Sequence, residues 1–221
     1  MIIKNFNALA TNPIKQIALL ILDAGLSAAM PDNMLKKIIR KNKIILGKTT
    51  ILLPKYDRIF VIGIGKAADS MANAINSLTD LNGGIIVIPQ GTRSILKNKK
   101  FKILYGGHPL PNKQSLSAAK KIIKFLKERN HTDLIIFLIS GGTSPLVVMP
   151  DGITLNDKKM ITNLLLRSGA NIHEINCIRK HLSKIKGGRI LEYLPCDAIS
   201  IVMSDVVGDN LTSIASGLTY Y

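Results

Sequence analysis

The chain has no tryptophan, and only five tyrosines and five phenylalanines in 221 residues. So few rings leave little on which single-stranded nucleic acid could stack. Acids are scarce too: 14 Asp and Glu stand against 30 Lys and Arg, a formal charge of +16. Such an excess suits an anionic partner. The basic residues are nevertheless spread over 35–48, 97–102, 119–129 and 158–189 instead of forming one patch. That spread favours small anions and argues against nucleic acid. Two cysteines, Cys177 and Cys196, lie outside any CxxC spacing, which leaves no disulfide framework to expect. The apolar stretch Ile17–Met30 contains Asp23 and is too short to span a bilayer. The first residues lack the layout of a signal peptide. A soluble cytoplasmic protein without a membrane partner is expected.

What is present is a large apolar fraction, 47% of residues, enough for a sizeable core. Residues 12–40 read as two helices, with Ile14, Ile17, Ala18, Ile21 and Leu22 at helical spacing and Pro31 opening the second. Residues 41–57 read as a basic, irregular connector. From Arg58 short apolar runs alternate with helical stretches. Strands are expected at Ile59–Ile62, Ile85–Ile88, Phe101–Tyr105, Leu134–Ile139 and Ala198–Met203. Helices are expected at Lys66–Leu78, Asn112–Glu128, Thr154–Arg167 and about 171–182, with another after Gly188. Thr154 and Asp157 have the spacing of a capping box. This alternation predicts an α/β fold, a doubly wound and mainly parallel sheet with helices on both faces, preceded by a helical pair. Ligands of such sheets sit at the carboxyl ends of the strands.

Three turns fall there. Gly63-Ile-Gly65-Lys66-Ala67-Ala68 fits G-x-G-x-x-A between a strand and a helix. The next strand ends in Pro89-Gln90 instead of an acid, which counts against a nicotinamide dinucleotide. A Walker A loop is excluded because Ala67 follows Lys66 where Ser or Thr is required. A lysine at a helix start remains, either an anion site or a solvent lysine on a tight turn. The second turn, Ser140-Gly141-Gly142-Thr143-Ser144, offers backbone N–H groups and hydroxyls to a phosphate or carboxylate. The third follows Met203, where Asp205 and Asp209 can enter one cleft; Mg²⁺ takes one or two carboxylates plus substrate phosphates, although Asp209 can equally cap a helix. Before it runs a cationic stretch with Arg179, Lys184, Lys186 and Arg189 around Gly187-Gly188. It is either a solvated helix face or a phosphate site. The glycine pair marks either a backbone approached by ligand or a helix start. His108, in Gly107-His-Pro-Leu-Pro111, is either a ligand or acid–base residue or a structural one.

These blocks, in this order, resemble the glycerate 2-kinases, a family whose later domain carries the MOFRL motif and some of whose members are called hydroxypyruvate reductases. The carrying segments are Val61–Ala72, Gly107–Pro111, Leu138–Gly142, Asn176–Arg189, Ser204–Asp209 and Ile214–Gly217. Pro145 and Leu218 replace the family's usual Ala and Pro. The resemblance implies a Rossmann-like domain that transfers the ATP γ-phosphate to the 2-hydroxyl of D-glycerate with Mg²⁺. Lys66 matches the active-site lysine that neutralises the phosphoryl group. Asp205 and Asp209 match the acidic pair for metal or substrate hydroxyl. Gly63, Gly65, Ser140, Gly141, Gly142, Arg179, Lys186, Gly187 and Gly188 are the expected phosphate- and substrate-binding set. The expected organisation is helices and connector at 1–57 and the core at 58–221. The family's second domain, which supplies an arginine, is expected to be absent or separately encoded. Two alternatives are a non-catalytic sugar-phosphate or nucleotide-binding module and a reductase.

Overall fold

A computed structural model describes residues 1–221, apart from the side chains of Ile172 and His173. Three helices open it: α1 (Phe6–Leu9), α2 (Pro13–Ala29) and α3 (Pro31–Ile38). Pro13 and Pro31 occupy the first helical turn, where a missing N–H costs nothing. Asn12 caps α2 by accepting from the Lys15 N–H. No residue of α2 is buried, and Ile14 is 80% exposed. Among the described residues no single helix is long and apolar enough to cross a membrane. α2 and α3 reach that length only together, across a 52° bend.

The segment expected to be an irregular connector is instead an antiparallel sheet of β1 (Ile39–Arg40), β2 (Lys43–Leu46) and β3 (Thr49–Leu52). Leu46 pairs with Thr49, and Gly47, at φ +58°, makes the two-residue turn between them. Leu35, Ile39, Ile44 and Leu53 join the same buried cluster as Ile59, Val61, Met71 and Ile75. The amino-terminal helices and small sheet therefore share a core with the strand Arg58–Ile64 and the helix Ala68–Leu78.

The rest alternates: β4 (Arg58–Ile64), α4 (Ala68–Leu78), β5 (Gly83–Pro89), β6 (Phe101–Gly106), α5 (Lys113–Lys127), β7 (Asp133–Ser140), α6 (Thr143–Leu146), α7 (Leu155–Arg167), α8 (Ile172–His181) and β8 (Asp197–Met203). The expected capping box opens α7: Thr154 accepts from the Asp157 N–H, and Asp157 accepts from the Thr154 N–H. The helix expected after Gly188 is a short 3₁₀ segment, Arg189–Tyr193.

Five parallel strands lie in the order β6-β5-β4-β7-β8. Their side chains alternate between two cores. Val61, Ile86, Ile136 and Leu138 face α4 and the amino-terminal segment. Phe60, Ile62, Val87, Ile135 and Phe137 face α5. Burial on both faces explains why these strands read as continuous apolar runs. The chain winds from β4 through β5 to β6, then crosses back to β7. The carboxyl ends of β4 and β7 thus flank the point where the winding reverses, the place where open α/β sheets hold ligands.

Candidate functional site

At that point two turns lock together. The Lys66 N–H donates to the Gly141 carbonyl at 2.9 Å, and the Ala67 N–H to Ser140 Oγ at 3.0 Å. The Thr143 hydroxyl lies 2.7 Å from both the Ile64 and Ser140 carbonyl oxygens. These N–H groups at the start of α4 are therefore spent on the neighbouring turn. Anion attraction there rests on the exposed Lys66 side chain.

Bare Cα atoms make the interlock possible. A Cβ on Gly65 would lie 2.1 Å from Ser140 Oγ, and one on Gly63 would lie 2.8 Å from Ile86 Cδ1. Gly63 and Gly65, expected to cradle phosphate, here serve close packing. Gly142, at φ +85°, is pressed by His108 and Lys66: a Cβ would stand 3.1 Å from the imidazole and 3.3 Å from Lys66 Cε. His108 and Lys66 thus meet over this turn. Burial, then the nearby Lys66 charge, holds the His108 pKa below its ordinary value.

The turn also borders a cavity of about 430 Å³, whose lining does not include Lys66. Ser140, Gly141, Gly142, Arg179, Asp205 and Ala215 are among its lining residues. Ser144 and Asn176, absent from the expected set, line it as well. Ser144 is 2.9 Å from Ser216 Oγ, which in turn donates to Asn176 Oδ1 at 3.2 Å. Asp205 projects from the loop after β8. Asp209, four residues on, is exposed at φ +49° and lies outside the lining, so the two aspartates do not converge there. Among the described residues no group of three or more His, Cys, Asp or Glu is placed to hold a metal ion.

The basic stretch divides. Arg179 lines the cavity, and burial lowers its pKa. Lys186 is 2% exposed and donates to the Ala215 carbonyl at 3.2 Å. Gly187 and Gly188, both left-handed, donate their N–H groups to the Ser216 and Gly217 carbonyls. A Cβ on Gly188 would lie 2.6 Å from the Tyr221 ring. The glycine pair thus grips the carboxyl-terminal turn and opens the 3₁₀ segment.

One buried cation escaped sequence reading. Lys158 is 5% exposed and donates to the carbonyls of Arg179 at 3.2 Å and Leu182 at 2.7 Å. It shares the inward face of α7 with Ile161, Thr162 and Leu165, and a lysine on an apolar stripe was the available signal. Burial, then the Arg179 charge, pushes its pKa down to about 8.

Known proteins resemble this chain in sequence and fold. The sequence pattern of a domain of unknown function, DUF4147, matches residues 17–221. The glycerate 2-kinase of Pyrococcus horikoshii is 40% identical over 210 residues, which cover 93% of this chain and 47% of the relative. A solved structure from the same organism superposes with a TM-score of 0.84 at 39% identity, covering 95% of this chain and 48% of its own. The glycerate kinase structure from Thermotoga maritima gives 0.81 at 34% identity, covering 94% and 48%. The chain spans about half the length of the curated relatives it matches.

Proposed function

The chain belongs to the DUF4147 family, and from that premise we propose that it is the nucleotide- and substrate-binding half of an ATP-dependent glycerate 2-kinase. The observation that carries this reading is the Ser140–Gly142 turn at the winding reversal, with Lys66 against Gly142 and with Arg179 and Asp205 lining the cavity that the turn borders. Likeness to relatives named glycerate 2-kinase supports it.

In the reaction the 2-hydroxyl oxygen of D-glycerate attacks the γ-phosphorus of ATP. ADP leaves, and the hydroxyl proton passes to a base. Little covalent work falls to the protein, so positioning and charge neutralisation dominate. In this reading Lys66, which lies against Gly142, and Arg179, which lines the cavity, would neutralise the phosphates. Asp205 is exposed and lines the cavity. One carboxylate beside substrate phosphates and water is a donor set that suits Mg²⁺, and Asp205 would hold the ion. Mg²⁺ when bound neutralises phosphate charge. Asp209 has no part in this scheme. Residues 58–221 form the catalytic layer in this reading, and residues 1–57 cover one of its faces.

The relatives are about twice as long, and the half that lies beyond the matched region would supply the facing wall of the cleft. Loss of a charge-stabilising arginine typically costs about 10³–10⁵ in rate, so this chain alone should turn over very slowly. The test is ADP formation from ATP and D-glycerate, with the chain alone and with the carboxyl-terminal half of the Thermotoga kinase added. Glycerate-dependent ADP that rises on addition supports the reading. No glycerate-dependent ADP under either condition rejects it.

A further inference from the structure

α2 is turned the wrong way round for a helix held only by its own chain. Partly buried Leu19, Asp23 and Ser27 form one row at i, i+4 and i+8 and face the body. There the Asp23 carboxylate accepts the Ile2 and Ile3 N–H groups at 2.6 and 2.9 Å. The opposite row, Ile14, Ile17, Ile21, Ala24 and Ala28, has the alternating three- and four-residue spacing of a helix-packing seam. That row is turned to solvent, with Ile14, Ile17 and Ile21 exposed by 80%, 59% and 69%. Helices in proteins draw most of their stability from packing an apolar face, yet no residue of α2 is buried.

The seam is graded in size. Isoleucines fill its amino-terminal half, and Ala24, Gly25 and Ala28 its carboxyl-terminal half. Gly25 stands out, because glycine inside a helix is unfavourable relative to alanine. Nothing in the chain itself requires it: a Cβ there would meet no atom within 4 Å. An antiparallel copy of α2 centred on Ile21 does require it. In that register Ile14 of one copy lies over Ala28 of the other, Ile17 over Gly25, and Ile21 over Ile21. A parallel pair would set isoleucine on isoleucine at one end and leave a gap between small residues at the other.

Charge and area also fit a second copy. A chain of formal charge +16 repels its own kind, so copies can meet only where charge is sparse. α2 carries one cation, Lys15, and one anion, the inward-facing Asp23. The seam and its neighbour Leu20 expose apolar surface on the order of 500 Å². Two copies would cover about 1,000 Å², the size at which an interface becomes specific. A helix that lies on a membrane carries a strongly basic polar face, which α2 lacks.

We propose that α2 is a homodimer surface, on which a second copy of this chain packs its own α2 antiparallel about a twofold axis at Ile21. Nothing in this depends on the kinase reading.

Sedimentation of the full chain at about 100 µM should give about twice the 24.1 kDa chain mass. Raising the salt should tighten the dimer, because like charges are screened. Gly25→Leu should weaken association about tenfold or more while the fold keeps or gains stability. Adding Ile17→Ala to that variant should restore the affinity, since knob and hole have changed places. Ile21→Glu sets two carboxylates face to face and should give a monomer with an unchanged circular dichroism spectrum. If Ile21→Glu does not fold, the Gly25→Leu variant and its rescue still decide the matter. A wild-type monomer overturns the proposal, including one that binds anionic lipid vesicles or the carboxyl-terminal half of the Thermotoga kinase through α2. A dimer that Gly25→Leu and Ile21→Glu leave intact overturns it as well. Weakening by Gly25→Leu without rescue overturns the antiparallel register. Glycerate-dependent ADP formation is a separate readout, so the kinase reading and the dimer can fail independently.

Discussion

The Asp205 carboxylate rests against the bare Cα of Gly141: a methyl group there would stand 2.2 Å from Oδ2. Gly141 is outside the left-handed region, so its backbone accepts alanine. Gly141→Ala is therefore a probe of the carboxylate's position. The exposed Asp205 side chain can swing aside, so stability should change by less than about 1 kcal/mol. Binding of magnesium-ADP should weaken about tenfold, while that of metal-free ADP should hold. Calorimetry with and without magnesium distinguishes the two. Equal weakening of both would detach Asp205 from the metal.

Gly65 presents the opposite case. Its φ is +135°, and a Cβ would meet Ser140 Oγ at 2.1 Å and the Ser140 carbonyl oxygen at 2.7 Å. Gly65→Ala should cost about 3 kcal/mol or more in urea unfolding, through strain and clash together. Ser140→Ala alone removes the acceptor for the Ala67 N–H and should cost about 1–3 kcal/mol. The double variant should not recover, because the Ser140 carbonyl remains in the way.

Much of this architecture can be read from the residue pattern alone, for physical reasons. β4 and β7 are buried on both faces, so Ile59–Ile62 and Leu134–Ile139 stand out as apolar runs. Thr154 and Asp157 announce α7 because a capping box is local chemistry. β1–β3 stay hidden because Lys43, Lys48 and the threonines mask a period of two, and Gly47-Lys48 is the lone turn signal. The glycines show the deeper limit. Sequence reveals that Gly63, Gly65 and Gly188 need space, but not whether phosphate, Ser140 or Tyr221 fills it. Lys158 is lost for the same reason: its burial depends on α8, which is distant in the chain.

Arg58 and Asp133 face each other in register across β4 and β7 and pair through two hydrogen bonds, at 2.8 and 2.9 Å. Burial pushes the Asp133 carboxyl up. Arg58, the Asn130 N–H and Arg129 more than offset this and hold it below the usual carboxylate range. A carboxylate so depressed contributes its full stabilisation above the unfolded value of about 4 and loses it as pH falls through the folded value. Asp133→Asn should cost about 1–3 kcal/mol at neutral pH. The gap between the two proteins should narrow below about pH 4. A gap that stays constant with pH would assign the loss to packing.

Lys158 should leave the opposite signature. Its pKa is lowered to about 8 in the folded chain, against about 10.4 for a free lysine. Between those values the unfolded chain holds a proton that the folded chain has released, so stability should rise with pH across that window. Lys186, lowered well below its ordinary value by burial and by Arg179 and Lys158, acts in the same direction. Cys196 acts against both at higher pH, because burial raises its thiol to about 11, and a raised acid loses stabilisation above its unfolded value of about 8.5. The useful interval therefore runs from about pH 7.5 to 8.5. Urea unfolding at its two ends should show wild-type stability rising and Lys158→Met rising less. Equal slopes would mean that Lys158 stays charged in the fold, and its burial would then need an anion on the protein itself.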